Sequence, residues 1–199
     1  MKDSKPRFRL HIGMRNIKTA LSATLCALIY FLFLPNRNPT FACIGAIFGM
    51  GSDTEDSKLN GGNRLFGTII GGVLGMLLYR IYIIFYPDGL FHYPLLIFLF
   101  IGTILLIMTS LFFRWPGAIQ PGGVVLCIIF FNISVDTYVQ YSLDRIFDTA
   151  FGVMLSIVIN MFFPRETIVS ALNKIGVRKD SLDECEVIEE LEEMDEEAK

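Results

Sequence analysis

The chain has 199 residues, of which 53% are hydrophobic, and a mean hydropathy of +0.53. A soluble domain needs more polar surface than this, and the apolar residues fall in long runs, so the composition excludes an ordinary soluble domain and points to a polytopic membrane protein. The net charge of −3 averages over segregated ends: Lys2, Lys5, Arg7, Arg9, Arg15 and Lys18 stand against Asp3 at the amino end, and the chain from Asp180 onward is strongly acidic.

Residues 1–14 read as a basic cytoplasmic amino terminus, and residues 15–34 as the first span. A basic start followed by an apolar core also describes a signal peptide. Here the run ends in Phe31-Leu32-Phe33-Leu34-Pro35 with no small-x-small cleavage site, and more spans follow, so a retained helix is expected. Pro35 to Pro39 is a turn. The apolar segment Thr40 to Gly51 is short, covering about half of a roughly 30 Å hydrocarbon core at about 1.5 Å per residue. Its Ala42, Gly45, Ala46 and Gly49 suit close packing among other helices. Ser52 to Asn63 reads as a polar loop, and Arg64 opens the third span, which runs to about Tyr86.

Pro87 to Tyr93 is a second turn, and Leu95 to Phe113 is the fourth span. Arg114-Trp115-Pro116 marks an interface, where Trp and Arg anchor. Pro121 begins a short fifth span that fades by Phe131. Asn132 to Asp144 reads as a polar loop, and Arg145 to Phe163 as the sixth span, stopped by Pro164. Lysines and arginines of the short loops place both termini in the cytoplasm: Lys58, Arg64, Arg114 and Arg165 to Lys179 fall on the inner side, and among the outer loops only the first has one, Arg37. Arg80 is the exception; it is expected to snorkel outward, with Tyr79 and Tyr82 nearby. Residues 165–199 form an acidic cytoplasmic tail. Val187, Ile188, Leu191 and Met194 recur there at helical spacing, which allows either a solvated tail or a short amphipathic helix that contacts a partner.

Two arginine-led motifs echo each other. Arg64-x-Phe66-x-Thr68-x-x-Gly71 returns as Arg145-x-Phe147-x-Thr149-x-x-Gly152. Each closes a series of a long span, a short span after a proline, and a span led by the motif. Each half has an odd number of spans, so the halves must be inverted relative to one another, a recurrent plan in secondary transporters. The expected fold is all-α and integral to the membrane. It has six transmembrane helices as two inverted three-helix repeats, with spans 2 and 5 short, over residues 15–164 (repeat A about 15–86, repeat B about 94–164). Gly67, Gly71 and Gly75 fall four apart and give one smooth helix face, and Gly152 takes the same place in the second motif; such faces let helices approach closely in lipid.

The candidate substrate path consists of Arg64, Arg145, Asp148, Lys18, Thr68 and Thr149. Each has two readings. Arg64 and Arg145 at span mouths either anchor helices to headgroups or attract an anion, since a guanidinium stays charged and grips a carboxylate bidentately. Asp148, one turn from Arg145, either pairs with it or carries a proton in coupled transport. Lys18 is either a snorkelling anchor or a second cation of the inner mouth. Thr68 and Thr149 bond back to their own helix or across to a neighbour.

No metal, cofactor or enzymatic chemistry is expected. A Gly-x-x-x-x-Gly-Lys-Ser/Thr loop is absent, so ATP is not the driver. His11 and His92 are isolated, and no nucleophile–base set is visible. Cys26, Cys43 and Cys127 lie in apolar runs and Cys185 in the tail, and they read as small packing residues.

Gly13-Met14-Arg15-x-x-Lys18-Thr19-Ala20, Ser57-x-x-x-Gly61-x-x-Arg64-x-x-Gly67-Thr68-x-x-Gly71-x-x-x-Gly75 and Arg145-x-x-x-Thr149-x-x-Gly152 resemble the aromatic acid exporter and fusaric acid resistance superfamily over about residues 12–164. The resemblance implies a six-span module of the cytoplasmic membrane that exports aromatic carboxylic acids or related organic anions and works as a homo-oligomer. Plant aluminium-activated malate channels are similar in broad plan, which keeps an oligomeric anion channel open. Many members carry a sizeable soluble domain after the sixth span, where this sequence has only its acidic tail. The expected partners are the lipid bilayer, an organic anion and further copies of the chain, without nucleic acid. A third reading is a non-transporting scaffold that recruits a partner through the tail.

Overall fold

The computed structural model describes residues 14–89 and 91–162. They form six helices: α1 (Met14–Phe33), α2 (Thr40–Phe48), α3 (Thr54–Phe85), α4 (Pro94–Phe112), α5 (Ile119–Asn132) and α6 (Tyr138–Phe162), with a 3-10 turn at Pro116–Ala118 leading into α5. The described residues contain no strand. The basic amino end and the acidic tail, with its amphipathic spacing, lie outside them.

Helices α1, α3, α4 and α6 are long and apolar enough to cross a membrane. Helix α2, of 9 residues, and α5, of 14, are not; at about 1.5 Å per residue they extend about 14 and 21 Å. The six expected spans are thus four membrane-length helices and two short apolar ones.

Two boundaries differ from the sequence reading. The segments 52–63 and 132–144, expected as polar loops, are largely the first turns of α3 and α6. At α3 the cause is a cap. Extended Asp53 accepts the Asp56 N–H at 2.8 Å, and Glu55 and Asp56 occupy the first turn, where the helix dipole favours acids. The 32-residue α3 is therefore about 48 Å long, more than a hydrocarbon core of about 30 Å needs. Arg64 lies about three turns inside α3, and Arg145 about two turns inside α6. Neither stands at a helix mouth.

Helices α3 and α6 run antiparallel through the middle: Gly72 faces Ile146 and Ser142, and Gly61 faces Val153 and Ile157. Helix α3 also packs on α5 and α4, and α6 on α2 and α1. The seams close where side chains are missing. A Cβ on Gly71 would strike the backbone of Gly122, one on Gly67 the carbonyl of Ala118, and one on Gly152 the carbonyl of Ala42. A Cβ on Gly75 would stand 2.7 Å from Ile129 Cδ1. In lipid, where tails are as apolar as leucine, backbone approach of this kind is a main source of helix association.

Tyr79, Tyr82, Phe130 and Tyr138 fill the core toward the carboxyl end of α3. The Tyr79 ring lies 5.3 Å from that of Tyr138 and 6.2 Å from that of Phe130. Tyr79 and Tyr82, three residues apart, share a helix face that turns inward, while Arg80 points away from it and is exposed. The outside is apolar: Phe31, Phe33, Ile97, Phe100, Met108 and Phe112 are all exposed, as a lipid-facing surface requires.

Candidate functional site

Polar side chains converge on two clefts, each built on one of the central helices. The first lies where α6 begins. Asp148 Oδ1 accepts the Tyr30 O–H at 2.7 Å and lies 3.1 Å from Nη2 of Arg37, in the turn between α1 and α2. The same nitrogen reaches Asp144 Oδ1 at 2.7 Å. One guanidinium nitrogen thus serves two carboxylates a turn apart on α6. Asp148 is 5% exposed, deep enough that an unpaired charge would be expensive.

Of the two sequence readings of Asp148, the one that pairs it with Arg145 is not what the structure forms. Among the described residues no carboxylate oxygen lies within 4.0 Å of the Arg145 guanidinium. The group lies over the Phe41 ring, 3.2 Å from the centroid, and Nη1 donates to the Tyr141 hydroxyl at 3.2 Å. Its Nε is buried without a hydrogen-bond partner. Helix geometry explains the choice. Long helical side chains lean toward the amino terminus, so Arg145 reaches back to Tyr141 and away from Asp148. The cleft holds about 210 Å³ and is lined by Asn36, Arg37, Asn38, Phe41, Tyr141, Asp144, Arg145 and Asp148.

The second cleft lies beside Arg64, between α3, the end of α2 and the start of α5. It holds about 420 Å³ and is lined by Phe48, Asn60, Asn63, Arg64, Gly117, Gln120, Pro121 and Val124. The Arg64 guanidinium sits 5.2 Å from the Phe48 centroid, and its Nε is buried and unpartnered. No acid lines this cleft, and among the described residues none pairs with Arg64. Trp115 stacks on Phe66 with centroids 4.6 Å apart and covers Gly62.

The clefts occupy matching places in the sequence. Asn60, Asn63 and Arg64 line one, and Tyr141, Asp144 and Arg145, each 81 residues on, line the other. Their charges differ. Asn63 is replaced by Asp144 and Gly67 by Asp148, so one cleft carries an unpaired cation and the other two cations with two acids.

The remaining path residues scatter. The Thr68 hydroxyl donates to the Arg64 carbonyl at 2.9 Å, one turn back on its own helix. Thr149 is buried with its hydroxyl unpartnered, and its backbone carbonyl lies 2.9 Å from where a Gly45 Cβ would stand. Lys18 joins neither cleft and does not snorkel. It is 6% exposed, and Nζ donates to Asn160 Oδ1 at 2.8 Å. Asn160 Nδ2 in turn donates to the Asp53 carbonyl at 2.6 Å and to Ser57 Oγ at 2.9 Å, and Ser57 Oγ accepts the Gly51 N–H at 2.8 Å. This latch joins α1, the α2–α3 turn and the end of α6. Asn160 and Tyr30 escaped the sequence reading, and Arg37 entered it only as an outer-loop charge. The one available signal was an amide or charge beside or within an apolar run, which marks function or internal pairing without naming the partner.

Among the described residues no cluster of His, Cys, Asp or Glu could hold a metal ion. Membrane-length helices, an apolar exterior and internal polar clefts define a multi-pass membrane protein. The model of the fusaric acid resistance protein-like family matches residues 25–159, more than half of the chain, and the chain belongs to that family of membrane transport and resistance proteins. No curated protein and no solved structure matches it.

Proposed function

We propose that the protein exports aromatic carboxylates or related organic anions across the cell membrane, with both termini cytoplasmic, and that Arg64 and Arg145 bind the anion in turn. The observation that carries this reading is the Arg64 cleft. A guanidinium with no acidic partner among the described residues faces a space of about 420 Å³ with Phe48 beside it and three side-chain amides around it. A guanidinium fork suits a carboxylate, the amides add donors, and an aromatic wall suits an aromatic ring. The family description points the same way, because fusaric acid is itself an aromatic carboxylic acid.

The scaffold is two inverted three-helix repeats. The packing supports this: α3 lies on α5 as α6 lies on α2, and α1 lies on α2 as α4 lies on α5. The 81-residue offset between the clefts supports it as well. An inverted pair presents related sites to opposite sides of the membrane, which is what alternating access needs. The working form is a homo-oligomer.

The test is efflux of radiolabelled aromatic and aliphatic carboxylates from cells with the chain deleted, restored, or restored as Arg64→Gln or Arg145→Gln, each checked for expression. Export of one acid by the restored strain, lost in the arginine variants, supports the reading. Exit that only follows the membrane potential, with no accumulation against a gradient, replaces it with an anion channel. If no acid moves faster in any strain, transport of these anions is refuted.

A further inference from the structure

The two clefts differ in one respect that the exporter reading leaves unused: only the cleft of α6 contains carboxylates. We propose that this cleft binds an organic carboxylate together with a proton, the anion on Arg145 and the Arg37 side of the cleft and the proton on Asp148. The proposal rests on the exporter reading only for the class of ligand.

The argument starts from charge. Arg37 and Arg145 carry two positive charges, Asp144 and Asp148 two negative, so the empty cleft is balanced. The balance is uneven in space. Arg37 Nη2 holds both acids, at 2.7 and 3.1 Å, while Arg145 holds none and has a buried, unpartnered Nε. A carboxylate entering beside Arg145 places a third negative charge near two cations, one of which is already shared. Asp148 shares this cleft, is 5% exposed and is held by a single arm of Arg37 and the Tyr30 hydroxyl. A third carboxylate against two cations leaves one buried negative charge uncompensated, and protonation of one acid relieves it. The Asp148 oxygen forms an O–H bond with a proton taken up from solution, where a buffer acid becomes its conjugate base, and Arg37 remains with Asp144. Asp144, being more exposed, keeps its charge. The loaded cleft then holds two cations, Asp144 and the ligand carboxylate, and is balanced again.

Among the described residues, Asp144 is the one other carboxylate that lines the cleft with Asp148. Helix α1 presents Tyr30, a donor here, and Cys26, a thiol within electrostatic reach with Cys43 of α2 beside it. The turn presents Arg37, and α6 itself presents Tyr141, Asp144 and Arg145. Helix α2 contributes Phe41 as the ring under Arg145.

The experiment is calorimetric titration of benzoate into the full chain in detergent, in two buffers of different ionisation heat, which counts protons taken up per anion bound. The background is Arg64→Gln, so that only the α6 cleft responds. The expected result near neutral pH is uptake approaching one proton per benzoate, with affinity rising as pH falls. Asp148→Asn should bind benzoate with no proton uptake and no pH dependence, and Asp144→Asn should keep the uptake. Benzoate binding without proton uptake overturns the proposal, as does uptake that survives Asp148→Asn or that disappears with Asp144→Asn. So does a failure to bind benzoate at any pH. If Asp148→Asn does not fold, Asp148→Glu must retain uptake and Arg145→Gln must abolish binding, and the opposite result is equally decisive. Cellular efflux through the Arg64 cleft is measured separately, so the exporter reading stands or falls independently.

Discussion

Arg37, in the turn between α1 and α2, is the counter-ion of Asp148 in α6, with Nη2 3.1 Å from Oδ1. The contact ties the first half of the chain to the last helix through a carboxylate that is 7% exposed on its side chain. Replacing Arg37 with Gln leaves that charge with only the Tyr30 hydroxyl. We expect a loss of about 1–3 kcal/mol, at the lower end because Arg37 is itself partly exposed. Thermal unfolding in detergent measures it. In the double variant Arg37→Gln/Asp148→Asn the loss should be smaller than the sum of the singles, because the orphaned charge is gone. Additive losses would mean that the pair does not interact.

Neighbouring glycines of α3 should respond oppositely. Gly71→Ala drives a methyl into the backbone of Gly122, which cannot yield without separating α3 from α5. A cost of about 1–3 kcal/mol is expected. At Gly72 the nearest atom is Ile146 Cδ1 at 3.5 Å, an ordinary contact, and Gly72→Ala should be neutral or slightly stabilising because it also improves helix propensity. Equal effects in an unfolding titration would refute the seam geometry.

Arg64 is placed for binding rather than folding, since among the described residues it makes no ion pair. Arg64→Gln should lower efflux about 10- to 100-fold, the worth of a charge-assisted hydrogen bond of about 1.5–3 kcal/mol. Arg64→Lys should recover part of that, since it keeps the charge and loses the fork. Neither should move stability by more than about 0.5 kcal/mol. A large fall in stability with either variant would make Arg64 structural.

The latch at the other end of α6 is organised by Asn160, not by Lys18. Asn160→Ala removes the donor shared by the Asp53 carbonyl and Ser57 and the acceptor of Lys18, and should cost about 1–3 kcal/mol. Lys18→Met removes one hydrogen bond together with a buried cation, and should cost less. The reverse order in thermal unfolding would show that the lysine holds the latch.

The membrane class was legible in the sequence because lipid leaves a chain few options: apolar runs must be helices, and glycines four apart in such a run must be a packing face. The order of long and short segments and the arginine motifs were legible for the same reason, since periodicity and length act locally. The helical start of α3 was hidden, because a polar first turn held by a cap has the composition of a loop. The partner of Asp148 was hidden too. Sequence spacing offers Arg145, one turn away, but side-chain direction along a helix turns that arginine toward Tyr141 and Phe41. Only the folding of the α1–α2 turn against α6 supplies Arg37, 111 residues distant in sequence and 3.1 Å distant in space. The sequence by itself determined a helical membrane protein with arginines that it placed at the mouths of its spans. Tertiary structure alone decided which cations are neutralised and which face a cleft unpaired, because pairing of buried charge depends on contacts between distant segments.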